Sequence, residues 1–168
     1  MEPSPAFTTD DLEAFVAAPR IAVVAYTKRD GMPSQFPIWY RYDNGRFLMQ
    51  TSRTAAKTRA LQRNGHACLT IQDDMPPYRA VLIDGDVTVT DAGVEDELGR
   101  WLATHYFGRI AGAEFQRMAR EEYEKTGVVK VTFDPTRVRC FDNHRMIGLP
   151  LRLYQRIREW LPIPREWL

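Results

Sequence analysis

The chain contains few of the residues that define several common classes of protein. Its 168 residues include only two cysteines and three histidines. Cys68 and Cys140 lie in apolar, strand-like runs, so we expect buried free thiols in a reducing compartment and not a disulfide framework. The spacings of the histidines match no zinc motif, and we expect each of them to have a structural or surface role.

An excess of charge of one sign is also absent, and so are long hydrophobic runs. Lysine and arginine number 23 against 22 acidic residues, a net charge of +1, which excludes the strong field typical of proteins that bind nucleic acid or anionic membranes. No apolar run is long enough to span a membrane, and the N-terminus shows no secretory signal. We therefore expect a cytoplasmic protein without stable membrane insertion. A Walker loop, a dinucleotide-binding fingerprint and a Ser-His-Asp pattern are missing as well.

The residues that are present predict a mainly β, α+β domain. A helix is expected over 9–18, strands over 21–27, 33–42 and 46–51, and a short helix ending near Gly65. Further strands over 66–73 and 78–90, helices over 94–107 and 113–125, and strands over 128–133 and 137–142 complete the order. Antiparallel strands at this short spacing predict a closed or nearly closed barrel with helices packed outside it. Pro37 indicates an edge strand, a bulge or a place where a ligand replaces the neighbouring strand.

The junction between the third strand and the short helix has the chemistry of a phosphate site. The strand ends in Gln50-Thr51-Ser52, and Arg53 and Lys57 follow at once. Hydroxyl groups and the free amides of a helix start can bind an anion, which the helix dipole also favours. Lys57 lies four residues before Leu61 and so faces the protein, where an ammonium group costs desolvation energy unless an anion meets it. A solvated lysine, or an ion pair with a carboxylate, is the alternative.

Four segments, taken in order, resemble the pyridoxamine 5′-phosphate oxidase-like superfamily of split β-barrels. The likeness covers roughly residues 8–145 and is strongest to its flavin and deazaflavin oxidoreductases, particularly the branch that uses coenzyme F420. The segments are Gly31-Met32-Pro33 with Pro37-Ile38-Trp39-Tyr40, Thr51-Ser52 with Lys57 and Leu61, 74–79 (DMPPYR), and 81–85 (VLIDG).

This resemblance implies an FMN-binding-protein-like split β-barrel that forms a homodimer with two cofactor sites at the subunit interface. The positions that match the cofactor phosphate site are Thr51, Ser52, Arg53 and Lys57, and Gln50, just before them, is a further candidate for binding the cofactor. The ring system is expected along Phe36, Pro37, Ile38 and Trp39, and Tyr78 and Arg79 are expected to reach the site from the other subunit. Without the family likeness, the aromatic residues at 39 and 40 could stack on a ring, but aromatic residues on a strand more often belong to the core.

The implied activity is hydride transfer from F420 to a small unsaturated or carbonyl substrate. The segment Pro76-Pro77-Tyr78-Arg79 and the compact length favour F420, and FMN is the alternative cofactor. A non-catalytic protein that binds a flavin, F420 or haem on the same barrel is a further alternative, with His144 as a candidate haem ligand. Arg79-Ala80 departs from the Arg-Gln that is often found in oxidases acting on pyridoxamine phosphate, which argues against that substrate.

The sequence divides into a cofactor-binding barrel over 1–148 and an amphipathic helical tail over 149–168. The tail places Leu153, Tyr154, Ile157, Trp160 and Leu161 on one helical stripe. This stripe is typical of packing on the barrel or on a partner subunit. A lid over the active-site mouth and a contact with a membrane surface are the alternatives.

Overall fold

The computed structural model describes residues 7–75 and 78–143 of the chain. The His144 and tail predictions therefore lie outside the described residues. The elements in chain order are α1 (Thr9–Ala17), β1 (Ala22–Thr27), β2 (Pro33–Ile38), β3 (Arg41–Asp43), β4 (Arg46–Ser52), α2 (Ala56–Asn64), β5 (His66–Gln72), β6 (Arg79–Ala92), α3 (Glu97–Thr126) and β7 (Val128–Asp142). The seven strands form one antiparallel sheet in the order β2-β1-β5-β6-β7-β4-β3.

The connection between β2 and β3 shows that this sheet curls into a barrel. The two strands form opposite edges of the sheet, yet only Trp39 and Tyr40 separate them in the chain. Three steps between consecutive Cα atoms span at most about 11 Å, so the two edges lie close together. The sheet is thus a barrel that is split between β2 and β3, which confirms the predicted fold class.

The barrel encloses the apolar core. Side chains that alternate along the strands meet there, with Phe47, Met49, Leu69, Ile83 and Phe133 almost completely buried. Leu61 of α2 and Leu12 of α1 join the same cluster. Both helices are therefore anchored to the barrel through the face that they bury.

The strand predicted over 33–42 is two strands, and the two predicted over 128–142 are one. Tyr40 is buried and its hydroxyl donates to the carbonyl of Val16 at 2.8 Å, which takes the chain out of β2. Where β6 pairs with β7, Asp84 lies opposite Arg137 and Gly85 lies opposite Pro135. Thr136 of β7 is therefore an extra residue, accommodated in a bulge. Its hydroxyl donates to the carbonyl of Asp84 at 3.0 Å. The segment 134–136, between the two predicted strands, is therefore a bulge within one strand.

The two helices predicted between β6 and β7 form α3, which is broken at Gly108. This glycine has φ of 77° and ψ of 176° and separates two helical arms. Near the other end of the chain, Thr8 caps α1 and forms a capping box with Asp11. Among the helices of residues 7–75 and 78–143, none is both long and apolar enough to span a bilayer.

The cysteine prediction is confirmed for one residue and wrong for the other. Both thiols are free, and Cys140 is buried, but Cys68 is exposed. Cys68 pairs with Asp84 across the sheet, and its thiol donates to the Asp84 carboxylate at 3.2 Å. The alternation of β5 places Cys68 on the outer face while its neighbours Ala67 and Leu69 enter the core.

Candidate functional site

Lys57, at the start of α2, is a half-buried cation. Its ammonium nitrogen lies 4.3 Å from the centroid of the Phe36 ring, a cation–π contact between α2 and the edge strand β2. Among residues 7–75 and 78–143, no carboxylate comes within 4.0 Å of this nitrogen, whereas Lys28 pairs with Asp30 at 3.4 Å. Burial lowers the pKa of Lys57 below its usual value, because the charged form loses solvation. The prediction that Lys57 faces the protein is confirmed.

The turn between β4 and α2 presents polar groups beside this lysine. The hydroxyl oxygen of Ser52 accepts the Thr54 amide at 3.3 Å and lies 3.1 Å from the Thr54 hydroxyl. The N-cap residue of α2 is Ala55, which provides no side-chain cap, and the first turn of the helix contains no acidic residue. Its positive end is thus not neutralised locally, which favours an anion there.

The neighbouring predicted residues have different environments. Thr51 is buried, since the alternation of β4 turns it to the face opposite Ser52. Arg53 is half-exposed and forms an ion pair with Asp91 at 3.0 Å. The structure therefore gathers Ser52, Thr54 and Lys57 around the start of α2, which we call the α2 junction.

The edge strand β2 connects the α2 junction with a cavity on the flank of the barrel. Phe36 faces Lys57 and packs edge-on against Tyr26, with ring centroids 5.8 Å apart. The next residue, Pro37, points to the opposite face and lines the cavity together with Ile38 and Trp39. The edge position of β2 confirms one of the expectations for Pro37. All four residues predicted to lie along the ring system therefore border one of these two regions.

The cavity has a volume of about 670 Å³ and lies between α3 and the split edge of the barrel. Its floor comes from Ile21, Pro37, Ile38 and Trp39, and its roof from Phe115, Ala119 and Tyr123 on the second arm of α3. We call it the α3 cavity. This volume lies within the range of about 300–1,000 Å³ that is typical of small-molecule sites.

Gln50, another predicted site residue, borders the α3 cavity. Its amide nitrogen is buried and, within the described part of the chain, has no hydrogen-bond acceptor. A buried donor without an acceptor costs about 1–3 kcal/mol, so a ligand or an ordered water would be expected to supply the acceptor. Gly99 makes room for this side chain, since a Cβ atom there would lie 2.6 Å from the Gln50 amide oxygen.

Trp39 belongs to an aromatic cluster at the break in α3. Its ring stacks on Tyr106 at 5.1 Å between centroids and contacts Phe107 at 5.0 Å and Phe115 at 4.9 Å. Tyr106 in turn donates through its hydroxyl to the carbonyl of Arg20 at 2.7 Å. The cluster holds the second arm of α3 over the split edge of the barrel.

Tyr78 and Arg79, which were expected to reach a partner subunit, differ in the contacts that their side chains make within this chain. Tyr78 is 46% exposed. Arg79 donates from Nε to the Asp73 carboxylate at 3.0 Å, and Arg20 donates to the other oxygen of that carboxylate at 3.0 Å. The Arg79 guanidinium also lies 4.9 Å from the centroid of the Phe15 ring. Arg79 is therefore held by residues of its own chain.

The described histidines do not form a metal site. His66 pairs with Asp86 at 2.7 Å on the surface, and His105 stacks on Trp101 at 4.3 Å between centroids. Within the described ranges, no group of three His, Cys, Asp or Glu residues is arranged to hold a metal ion.

The roof of the α3 cavity was not predicted from the sequence. Phe115, Ala119 and Tyr123 are spaced four residues apart and so share one face of the second arm of α3. That spacing was the available signal. It could not reveal which surface the face covers, because the answer depends on the turn at Gly108.

The fold and this site define a split β-barrel with a cation-bearing helix start and an adjacent apolar cavity. The family model of pyridoxamine 5′-phosphate oxidase matches residues 8–140. The chain therefore belongs to the pyridoxamine 5′-phosphate oxidase family, and the resemblance found in its sequence motifs is confirmed. No curated protein matches the chain by sequence.

Several solved structures are similar to this one. The conserved hypothetical protein Rv2991 from Mycobacterium tuberculosis is 20% identical, with a TM-score of 0.68 over 87% of this chain and 92% of that one. An F420 reductase is 18% identical, with a TM-score of 0.60 over 82% and 98% of the two chains. HutZ, the haem storage protein from Vibrio cholerae, is 12% identical, with a TM-score of 0.58 over 80% and 93%. At these identities the likeness establishes the shared fold.

Proposed function

We propose that this protein is an oxidoreductase that holds the deazaflavin F420 at a homodimer interface and reduces a small unsaturated or carbonyl substrate. The observation that carries the proposal is the half-buried ammonium of Lys57, which has no carboxylate within 4.0 Å in the described part of the chain. A cofactor phosphate would supply the missing counter-charge. The similarity to a structure named as an F420 reductase supports F420 as the cofactor.

The donor set at the α2 junction fits a phosphate group. Lys57 would contribute charge, Ser52 and Thr54 would contribute hydroxyl groups, and the uncapped start of α2 would contribute amides. The ring system would lie along β2 from Phe36 to Trp39, beside Gln50. When bound and reduced, the cofactor supplies a hydride, and the residues of the chain position it and exclude water from it.

FMN is the alternative cofactor. It also carries a phosphate, and one of the similar structures is described as a FAD-binding protein from Mesorhizobium loti (14% identity, TM-score 0.56, covering 80% of this chain and 92% of that one). A non-catalytic haem-binding role, suggested by the likeness to HutZ, is less well supported, since both described histidines already have neighbours that occupy their rings.

The test is a titration of the purified protein with four ligands that form two matched pairs. F420 and FMN carry a phosphate, whereas the deazaflavin nucleoside of F420 and riboflavin do not. We expect Lys57→Ala to weaken the phosphate-bearing ligands by about 1.5–3 kcal/mol, or roughly 10- to 150-fold, because it removes one charged hydrogen bond. It should leave the phosphate-free ligands unchanged. Lys28→Ala is the matched control, since it removes an exposed lysine that already pairs with Asp30.

The outcomes separate the hypotheses. Tighter binding of F420 than of FMN supports the deazaflavin proposal, and the reverse makes this an FMN protein. An equal loss for phosphate-bearing and phosphate-free ligands would show that Lys57 does not hold the phosphate. The oxidation of reduced F420 by α,β-unsaturated ketones then distinguishes an enzyme from a binding protein.

The homodimer is part of the proposal and has its own test. Tyr78 and Arg79 are proposed to complete the site of the partner subunit, although Arg79 would need to leave Asp73 to do so. Light scattering after gel filtration gives the oligomeric state. A monomer that binds the cofactor with full affinity would refute the shared site.

A further inference from the structure

The lining of the α3 cavity contains four titratable side chains within the described part of the chain, and one of them is a neutral proton donor. Glu95 pairs with Arg120 at 2.8 Å, and Arg117 pairs with Glu114 at 2.6 Å. A carboxylate in an ion pair has no proton to give, and a guanidinium group does not release one. The fourth side chain, Tyr123, is therefore the lining group that can give a proton to a ligand in this cavity.

The hydroxyl group of Tyr123 makes no hydrogen bond to any residue in 7–75 or 78–143. Two other tyrosines near the cavity are different, since Tyr40 donates to the carbonyl of Val16 at 2.8 Å and Tyr106 donates to the carbonyl of Arg20 at 2.7 Å. Burial raises the pKa of Tyr123 above its usual value, so the phenol keeps its proton at neutral pH. Its hydroxyl is thus a donor that a ligand can use.

The last turn of α3 holds Tyr123 over the region proposed for the cofactor ring. The amide of Gly127 donates to the carbonyl of Tyr123 at 2.8 Å, and the carbonyl of Gly127 accepts from the amide of Arg53 at 3.0 Å. The helix is therefore fixed to the residue after β4 about one turn away from Tyr123. Pro37 and Ile38 line the floor of the cavity, so a substrate would lie between a ring on that floor and Tyr123 in the roof.

Reduction of an unsaturated carbonyl compound needs a donor in this position. When a hydride is added to the β-carbon, an electron pair moves to the carbonyl oxygen, and the charge on that oxygen is costly in an apolar cavity. A hydroxyl group that donates to the oxygen lowers this cost and transfers its proton as the charge develops.

We propose that Tyr123 is the proton donor for an α,β-unsaturated ketone that binds in the α3 cavity. The proposal rests on the oxidoreductase function proposed above, whose reduced cofactor is the source of the hydride. The substrate gains this hydride at its β-carbon and the Tyr123 hydroxyl proton at its carbonyl oxygen, which gives an enol. The tyrosinate recovers a proton from water, and the enol becomes the saturated ketone when water moves a proton from the oxygen to the α-carbon. The net change is the addition of one hydride and one proton to the carbon–carbon double bond.

The first test measures the hydrogen bond without turnover. The probe is benzylideneacetone labelled with ¹³C at the carbonyl, a flat and uncharged α,β-unsaturated ketone. Isotope-edited infrared spectroscopy gives its carbonyl stretching frequency on the full-length protein, with and without oxidised F420. We expect a lower frequency on wild type than on Tyr123→Phe, and an affinity for the variant that is about 2- to 12-fold weaker, the value of one hydrogen bond. Tyr42→Phe removes a hydroxyl from β3, outside the cavity lining, and should match wild type in both measurements.

The second test is anaerobic turnover of the same ketone with reduced F420 or reduced FMN. Tyr123→Phe should lower kcat by about 10²- to 10⁴-fold, the usual contribution of a general acid, while the affinity for the cofactor stays at the wild-type value. A merely structural role would not produce this loss of kcat together with the change in carbonyl frequency.

The outcomes separate this proposal from the proposed function. The role of Tyr123 is overturned if the ketone does not bind, if wild type and Tyr123→Phe give the same carbonyl frequency, or if Tyr123→Phe keeps the wild-type kcat. A wild type that reduces the ketone while Tyr123→Phe does so equally well would remove Tyr123 and leave the oxidoreductase in place. A wild type that binds the ketone but turns it over with neither cofactor would overturn the oxidoreductase and the proton transfer together.

Discussion

Replacing Asp73 by asparagine should destabilise the protein by about 2–4 kcal/mol at neutral pH. The carboxylate of Asp73 connects the end of α1 with the start of β6, because it accepts from Arg20 at 3.0 Å and from Arg79 at 3.0 Å. The side chains of Arg20 and Asp73 are each 21% exposed, and that of Arg79 is 36% exposed. An asparagine keeps the shape but loses the charge, and its NH₂ group would face a guanidinium donor.

The magnitude follows from the number and the environment of these contacts. Hydrogen bonds to charged groups contribute about 1.5–3 kcal/mol each, and two guanidinium groups lose their counter-charge in the variant. Partial exposure reduces this effect, because water and salt screen the pairs. The result is a loss of about 2–4 kcal/mol, a large share of the roughly 5–15 kcal/mol that stabilises a typical domain.

The pH dependence of the effect has a definite sign. Burial raises the pKa of Asp73, but hydrogen bonds from Arg79 and Arg20 outweigh it and hold the pKa below its usual value. The unfolded chain therefore binds this proton at higher pH than the folded protein does. The stabilisation by Asp73 is complete above the unfolded pKa of about 3.9 and is lost as the pH falls through the lower folded pKa.

Urea unfolding followed by circular dichroism measures this prediction, with Asp74→Asn as the control. Asp74 is the exposed neighbour, and its replacement changes the net charge of the chain by the same amount. The difference between the two variants should be constant from about pH 5 to 8 and should shrink below about pH 4. A difference under about 0.5 kcal/mol at neutral pH would show that the Arg20–Asp73–Arg79 cluster does not stabilise the fold.

Two further substitutions test the turn of α3 and the charge of Lys57. Gly112→Ala should destabilise the protein by about 1–3 kcal/mol in the same urea assay, because its Cβ would meet the Ala103 backbone at 2.7 Å. Gly93→Ala, which has open space around it, should change stability by less than about 0.5 kcal/mol. Lys57→Met should raise the free energy of unfolding at neutral pH, since it removes a charge that burial destabilises, and Lys28→Met should not. The wild-type protein should approach the stability of Lys57→Met as the pH rises through the lowered pKa of Lys57; a Lys57→Met variant less stable than wild type would contradict the assignment.

The parts of the fold that depend on local pattern could be predicted from the sequence. The turn at Asn44-Gly45 has positive φ at both residues, as its composition requires. The period-2 spacing of Val81 and Ile83, with Val87 further along, is typical of the buried face of a strand, and all three are buried. The inward position of Lys57 followed from its spacing to Leu61.

Other features depend on contacts between distant parts of the chain and could not be predicted in this way. The division between β2 and β3 is set by Tyr40, which donates to the carbonyl of Val16. A strand pattern that is continuous in sequence does not reveal that its two halves occupy opposite edges of a barrel. The bulge at Thr136 likewise depends on the register with β6. Cys68 was assigned to the core from its apolar neighbours, although the alternation of β5 exposes it.

Two glycines in α3 are explained by the contacts around the α3 cavity and not by the local conformation of the helix. Gly99 and Gly112 lie inside helical arms, where a glycine costs about 1 kcal/mol relative to alanine. Their local conformation does not require glycine, since neither has positive φ. The reason is tertiary: one admits the amide of Gln50, and the other admits the backbone of Ala103. Each glycine lowers the stability of its own helical arm, and only a tertiary contact explains its presence. Such a residue marks a position where local stability is lower than the sequence could have provided. Gly99 and Gln50 line the α3 cavity, and Gly112 lies at the turn that places the roof over it. The three locally destabilising features therefore occur together around a single candidate binding site.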